Sequence, residues 1–552
     1  MLSVFATKTS KEYYRFIDSF TKTAFESEKL LGKFYTNYDT ADNMCAEIVS
    51  HLTDKNILKK IKIIDPFCGD GRLITELITQ LSLEKNFVNA SLSVTIWDID
   101  KVAVKKAKDN IYKCCYERGM DCEIIAKTTD AFIEYHTMGS SYDICITNPP
   151  WVLLKPQKSV SKDVDGALMQ QYRTALLDYD EYVKSEFILS QPSAKFGKWG
   201  TNLARCGTEV ALRLINNNGI CGFVSPASLL SDQVSGKLRQ WIFESFKVLD
   251  ISYYPAEMKL YGCADVASIT MIVSGGRTTD AIGFRKYSAK DKYTQEKIET
   301  GDMTYIKNSQ YCIPLKTGID SIPIMKSFSN MPSTLKCCNA YGLSFAREID
   351  ETRIMDKLSP DGNISFAKGY MVDRYSFAGE KLFLNEEKVI PPLSVYEYKI
   401  VWRDVSRDSQ LRRIKATILP PGYICGNSLG IIYGTKDKLP IMKVMLALMN
   451  SLIFEYQARS LLASNHVSAG IVKKIHIPLL IENECIINLV DQQLSGKNVE
   501  TRIESAVACL YGVSVEEYKT ILDAFDFTDD TKANLLNDYQ DIQIEWRNIN
   551  DL

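Results

Sequence analysis

The chain opens with Tyr13, Phe16, Ile17, Phe20 and Phe25 spaced among polar neighbours, which predicts an amphipathic helix within residues 1–30. From Ile61 the rhythm changes. Short apolar runs, "IKIID", "LSVTIWDI", "CEIIAKT" and "YDICITN", alternate with amphipathic stretches such as "GDGRLITELITQL" and "KVAVKKAKDNIYKCCYERG". Continuous apolar strands separated by helices predict a parallel sheet covered on both faces, an α/β doubly wound arrangement. Further units follow in "EVALRLINNNGICGFVSPASLL", "LRQWIFESFKVLDISYYP" and "VASITMIVSG". Past "SGGRTTD" the period fades into short strand-like pieces and loops. A helical run, "LPIMKVMLALMNSLIFEYQARSLLA", comes next, and "ESAVACLYGVSVEEYKTILDAF" reads as two packed helices. The expected organisation is a helical segment over 1–30, a sheet domain over 31–280 and a mixed α/β domain with a helical end over 281–552.

Composition adds little except in its distribution. At 552 residues the chain is too long for one core, and 45% apolar with 24% charged residues is ordinary for a soluble protein. No apolar run is long enough to cross a bilayer, and "MLSVFATKTSKEYYRF" is too polar for a secretory signal, so a cytoplasmic protein without a membrane partner is expected. The 15 cysteines lack CxxC spacing and the 4 histidines lie far apart, so reduced thiols and no metal site are expected. The net charge of −2 hides an asymmetry: residues 481–552 carry 5 Lys/Arg against 15 Asp/Glu, and the rest carries 61 against 53. A mildly basic body with an acidic tail fits a polyanion-binding protein, and equally a solvated helical end.

Candidate chemistry sits at strand ends, where open α/β sheets bind ligands. In "DPFCGDG", Gly69 and Gly71 allow a tight turn with outward-pointing N–H groups before a helix. In "WDID", Asp98 fits a grip on ribose hydroxyls, while Asp100 fits a helix cap. In "TTDAF", Asp130 could accept from an adenine amino group with Phe132 near the ring. In "ITNPPW", Pro149 and Pro150 fix the backbone so that Asn148 and the adjoining carbonyls form a rigid row of acceptors, and Trp151 offers a flat stacking face. Such acceptors suit a substrate amine. Cys68 has no neighbour that would activate a thiol, and packing is its expected role.

"DPFCGDG" followed by "TNPPW" resembles the amino-methyltransferases that use S-adenosylmethionine, with their (D/N)P(F/A)xGxG and (D/N/S)PP(Y/F/W) signatures. "GKFYT", Gly32 to Thr36, resembles their third element, with Asn37 where proline is usual. The order of these motifs, the Asn and the long domain that follows are similar to the gamma, TaqI-type class of DNA adenine-N6 methyltransferases. The resemblance implies a Rossmann-like class I methyltransferase sheet and a C-terminal mixed α/β target-recognition domain, with S-adenosylmethionine as cofactor and double-stranded DNA as partner. It implies that Thr36, Asp65 and Phe67 hold the methionine end around the Gly69–Gly71 turn. Asp98 would take the ribose, Ile99 would pack on the adenine, and Asp130 would bind its amino group. Asn148 and the Pro149 carbonyl would hold the target amine, with Trp151 stacked on a flipped base and Tyr261, in "KLYGCADVASITMIV", as a second aromatic.

Gripping DNA would fall to the later part of the chain. "VWRDVSRDSQLRRIKATILPPG" clusters Arg403, Arg407, Arg412 and Arg413, and "NHVSAGIVKKIHIPL" adds Lys473 and Lys474. Such residues neutralise phosphates or read guanine edges, although a charge run is more often a solvated face. Other readings stay open: an RNA or protein-glutamine amino-methyltransferase, a modification subunit needing a separate specificity subunit, or a DNA-binding protein that kept the fold without catalysis. A separately encoded restriction endonuclease is a further partner the sequence leaves open.

Overall fold

The four apolar runs after Ile61 become adjacent strands: β1 (Lys60–Asp65), β2 (Ser91–Asp98), β3 (Cys122–Thr128) and β4 (Tyr142–Thr147). The computed structural model describes residues 2–21, 36–52, 60–87, 89–155, 166–192, 201–261, 266–276, 281–289, 292–379, 382–384, 390–407, 410–462 and 465–550. Two compact units divide it, Met1–Leu315 and Lys316–Leu552.

In the first unit a sheet of nine strands has the order β3-β2-β1-β4-β5-β7-β6-β8-β9, completed by β5 (Ile215–Pro226), β6 (Phe246–Tyr254), β7 (Ser268–Gly275), β8 (Ile282–Ala289) and β9 (Lys292–Ile298). The half from β3 to β5 is parallel, as the alternating pattern predicts. The other half is mixed, because β7 runs antiparallel between β5 and β6. A parallel pairing of β6 and β7 would need a long crossover, usually a helix. The described part of their link holds only a 3-10 turn, Ala256–Met258. The sheet also runs past the boundary expected at 280: β8 pairs with β6 and β9 with β8. Gly283 permits this, since a Cβ there would sit 2.0 Å from Asp250 Oδ1.

The principal helices of this unit pack on the sheet and on one another. They are α1 (Leu2–Thr21), α2 (Tyr38–Leu52), α3 (Arg72–Leu83), α4 (Lys101–Arg118), α5 (Gly166–Glu186), α6 (Leu203–Leu214) and α7 (Gly236–Ser245). Their local signals are legible. Asp100 caps α4, accepting from the N–H groups of Val102 and Ala103, and Gly119 ends it in the left-handed region. Ile48, Leu77, Ile78, Val94, Ile96, Ile144 and Ile146 form the core between helices and sheet, all without measurable exposure. Burial of this kind is the main favourable contribution to the unit, roughly 25 cal/mol per Å² of apolar surface.

The second unit holds a four-stranded sheet with β10 (Ser344–Ala346) beside β16 (Leu429–Gly434), then β13 (Tyr398–Arg403) and β14 (Ala416–Leu419). A three-stranded sheet joins β12 (Phe383–Leu384), β11 (Ile364–Ala367) and β15 (Tyr423–Cys425). The long helical run after Leu439 breaks into α8 (Leu439–Asn450) and α9 (Leu452–Leu461), bent by 61° at Ser451. Ser451 explains the break, because its hydroxyl accepts from Phe454 N and so starts a new helix. The two helices expected near the end are α10 (Glu500–Tyr511) and α11 (Val515–Asp523), separated by left-handed Gly512 and a Ser514–Glu517 capping box. Among the described residues no single helix is long and apolar enough to cross a membrane.

Candidate active site

Sheet order reverses between β1 and β4, so the carboxyl ends of β3, β2, β1 and β4 lie side by side on one rim. A cavity opens there. Its lining includes Thr36, Asp65, Phe67, Gly69, Asp98, Ile99, Asp130, Asn148 and Pro150.

The turn after β1 is held from within. Asp65 Oδ1 accepts from Phe67 N at 3.0 Å and from Thr147 Oγ1 at 2.7 Å. Gly69 N donates to Asp98 Oδ2 at 2.9 Å, and Asp98 Oδ1 accepts from Asp100 N at 2.9 Å. Burial is the largest influence on Asp65; it raises the carboxyl pKa from its ordinary 3.8 to about 7 despite these hydrogen bonds. Gly71 is not in the lining. It caps α3 at φ +83, where a Cβ would meet Ala107 at 3.0 Å, so close helix packing accounts for it. Cys68 also lines the cavity; it is buried, and burial pushes its thiol far up, away from the thiolate form.

The Asn-Pro-Pro-Trp segment continues β4 toward the same cavity. Asn148 Nδ2 donates to Thr36 Oγ1 at 3.1 Å, and the Thr36 carbonyl accepts from Arg72 Nη1 at 2.6 Å. Gly32 to Tyr35 of the "GKFYT" element lie outside the described residues. Pro149 rests on α6 at Gly207, where a Cβ would come within 2.5 Å of Pro149 Cβ and 3.1 Å of Phe67 Cε2. Leu203 N donates to the Val152 carbonyl and Leu154 N to the Thr201 carbonyl, both at 2.8 Å, which fastens the segment to the start of α6. Trp151 and Tyr261 come together with ring centroids 4.6 Å apart and planes at 56°. Stacking a ring between them would take about 7 Å, twice the contact distance. In this conformation the pair is closed.

Asp130 is more heavily engaged than expected. Its Oδ1 accepts from Phe132 N, and its Oδ2 accepts from Ser10 Oγ at 2.7 Å and Tyr179 Oη at 2.8 Å. Ser10 belongs to α1 and Tyr179 to α5, neither of which the sequence marks as part of the site. Tyr13 and Tyr14 of α1 also line the cavity, with Tyr13 stacked on Tyr179 at 4.8 Å. Tyr13 lies on the predicted apolar face of α1, so the helical period signals its burial and nothing in the sequence signals its neighbour.

Taken together the lining carries Asp65, Asp70, Asp98 and Asp130 against Arg72, with aromatic and apolar walls. Such a field favours a cation and hydrogen-bond donors, and it opposes the pyrophosphate of a dinucleotide. His51 pairs with Asp250, His136 with Glu186, His466 with Asp404 and His476 with the Met331 carbonyl; none lines the cavity. No group of metal ligands occurs among the described residues.

The basic cluster of the second unit is a correction. Arg413 is buried and Arg412 is largely covered, its guanidinium turned inward rather than presented to a polyanion. Arg412 pairs with Glu455 at 3.2 Å and Glu504 at 2.9 Å and donates to the Asn450 carbonyl. Burial alone would lower its pKa, but Glu504 and Glu455 outweigh it and hold the guanidinium above its ordinary range. Arg413 donates its backbone N–H to Glu455 and its guanidinium to the Ser406 carbonyl. Arg403 is turned onto the carbonyls of Val372 and Tyr370 and toward Asp373. Lys473 lies over the Phe345 ring at 4.7 Å. Arg407 and Lys474 are exposed.

A doubly wound sheet with this rim is the class I methyltransferase fold. Residues 74–260 match the model of the Eco57I restriction-modification methylase family. The chain is similar in fold to the DNA-bound Type IIL restriction-modification enzyme MmeI, with TM-score 0.55 and 13% identity over 96% of this chain and 81% of that one. The type IIG restriction endonuclease BpuSI matches with TM-score 0.43 and 13% identity over 95% and 68% of the two chains. A type I restriction-modification methyltransferase subunit from Streptococcus thermophilus matches with TM-score 0.32 and 14% identity over 50% and 53%. Comparison with curated proteins gives no match.

Two stability outcomes follow. Arg412→Ala, which removes one of the two cations held by each of Glu455 and Glu504 and leaves Arg459 and Arg374 in place, is expected to cost about 1.5–3 kcal/mol in urea unfolding. Gly207→Ala is expected to cost about 1–3 kcal/mol by overpacking against Pro149, read as a lower denaturation midpoint.

Proposed function

We propose that this chain is an S-adenosylmethionine-dependent DNA methyltransferase of the gamma class that modifies the N6 amino group of adenine in double-stranded DNA. The observation that carries the reading is that Asp65, Asp98 and Asp130 meet Asn148 in one cavity. Its excess of carboxylates and its aromatic walls fit a cationic nucleoside cofactor. The bound cofactor would supply an electrophilic methyl group on its sulfonium.

The chain's own residues would do the rest. The turn at Asp65–Phe67, with Thr36, would hold the amino-acid end, and Asp98 would accept from the ribose hydroxyls. Asn148 Oδ1 and the Pro149 carbonyl would accept the two hydrogens of the target amine and draw its nitrogen toward tetrahedral geometry, which frees the lone pair for attack. The prolines would keep both acceptors in place, so positioning, worth roughly 7–11 kcal/mol in favourable cases, would supply much of the rate. Trp151 and Tyr261 would part to receive a base swung out of the duplex, an extrusion that costs a few kcal/mol. Arg407 and Lys474 are the exposed cations of the predicted set and would meet phosphates.

The deciding measurement is transfer of a labelled methyl group to duplex DNA, RNA and protein in parallel, followed by identification of the modified base. Labelling of protein or RNA alone would overturn the reading, as would methylcytosine as the product. Asn148→Ala is expected to abolish transfer to DNA, a loss of at least about a hundredfold, while cofactor binding by calorimetry stays within about threefold.

Asp65 adds a pH dependence. Its pKa of about 7 means that the free protein keeps a proton there across mildly acidic pH. A cationic ligand favours the ionised form, so binding releases that proton. Affinity should therefore rise with pH below 7, by at most about tenfold per unit, and level off above it. Asp65→Asn should flatten the profile. The free protein should lose this group's stabilisation as pH climbs from the ordinary carboxylate range toward 7, because the folded state alone retains the proton there.

A further inference from the structure

On the cofactor reading above, the nucleoside would lie along the rim with its reacting end at β4, its ribose beside Asp98 at β2 and its base at the β3 end, where Ala131, Phe132, Tyr13 and Tyr14 line the cavity. At that end the carboxylate expected to read the base is already taken by Ser10, Tyr179 and Phe132 N. Three of its roughly four lone-pair positions are filled by protein donors.

Those donors fix the direction of a further hydrogen bond. Tyr179 has one hydroxyl proton and spends it on Asp130 Oδ2 at 2.8 Å. The Tyr14 and Tyr179 hydroxyl oxygens are 3.3 Å apart. With the Tyr179 proton committed, Tyr14 must be the donor in that contact, or two lone pairs would face each other. Tyr14 Oη therefore has no proton left for the cavity it lines, and it offers only an acceptor.

We propose that Tyr14, on the N-terminal helix, reads the 6-amino group of the cofactor's adenine, and that the Tyr14–Tyr179–Asp130 chain makes the site selective for a 6-amino over a 6-oxo purine. This rests on the cofactor reading above. Tyr14 is the contacting residue. Tyr179 is a positioning residue that acts through the direction of its proton, and Ser10 fastens α1 to the same carboxylate.

The test compares binding of S-adenosylhomocysteine and its 6-oxo analogue S-inosylhomocysteine to the full chain by calorimetry. Wild type should prefer the 6-amino ligand. Tyr14→Phe should shrink that preference about three- to tenfold, the loss of one neutral hydrogen bond. Tyr179→Phe should shrink it too, mainly by tighter binding of the 6-oxo ligand, because the Tyr14 hydroxyl is then free to turn and donate; a merely structural role would not produce this. Asp98→Ala should weaken both ligands equally. If Tyr14→Phe leaves the preference unchanged or weakens both ligands alike, the proposal is overturned while the cofactor reading stands. If wild type binds neither ligand, the cofactor reading itself fails and this proposal with it.

Discussion

The Asp65 carboxylate is the constraint on which the rest of the site depends. One of its oxygens accepts from the backbone two residues ahead and from Thr147 on the neighbouring strand. The first bond shapes the turn that faces the cavity. The second locks that turn to the last residue before Asn148, so the two motifs share one register across the point where sheet order reverses. Burial makes an unpaired carboxylate costly there, which is why both bonds are needed. The backbone is then rigid on both sides of the cavity: by hydrogen bonds at β1, and by two prolines after β4, the first of which rests on Gly207.

Charge is used differently in the two units. The rim of the first gathers carboxylates around a space a ligand can enter, and the neighbouring donors are mostly backbone N–H groups. The second unit buries its arginines with its glutamates: Arg412, Glu455 and Glu504 knit the loop before β14 to α9 and α10. Arg374 joins the same cluster through Glu500 and Glu504. A paired cluster of this kind gains little net stability over apolar packing, although removing one member leaves buried charge behind. The acidic residues in α10 that contribute to the tail's negative charge are therefore partly internal counterions.

Much of the first unit is legible in the chain. The apolar runs from Ile61 to Ile146 become the strands expected: β2 and β4 are buried along most of their length and need continuous apolar residues, while β3, at the sheet edge, is legible from its β-branched run although it stays partly exposed. Asp98, Asp130 and Asn148 fall at strand ends for the same reason, and the cavity brings them together. The mixed half of the sheet was not legible. Its strands are recognisable, but their direction depends on whether a link is long enough to cross over, and no single-strand pattern carries that. The inward pairing of Arg412 and Arg413 is not legible in the chain, because a string of basic residues looks the same whether its partners are phosphates outside or Glu455 and Glu504 inside.

By itself the sequence determined the strands, the caps, and the identity of the residues at the rim, since these follow from local periodicity and from what glycine, proline and aspartate do to their own backbone. Only the tertiary structure decided which charges are internal, that Trp151 lies against Tyr261, and that a helix more than 100 residues upstream of Asp130 supplies a hydroxyl to it. The physical reason is range. Backbone preferences act over a few residues and can be read in order, whereas the partner of a carboxylate or the neighbour of an aromatic ring is fixed by where distant segments pack.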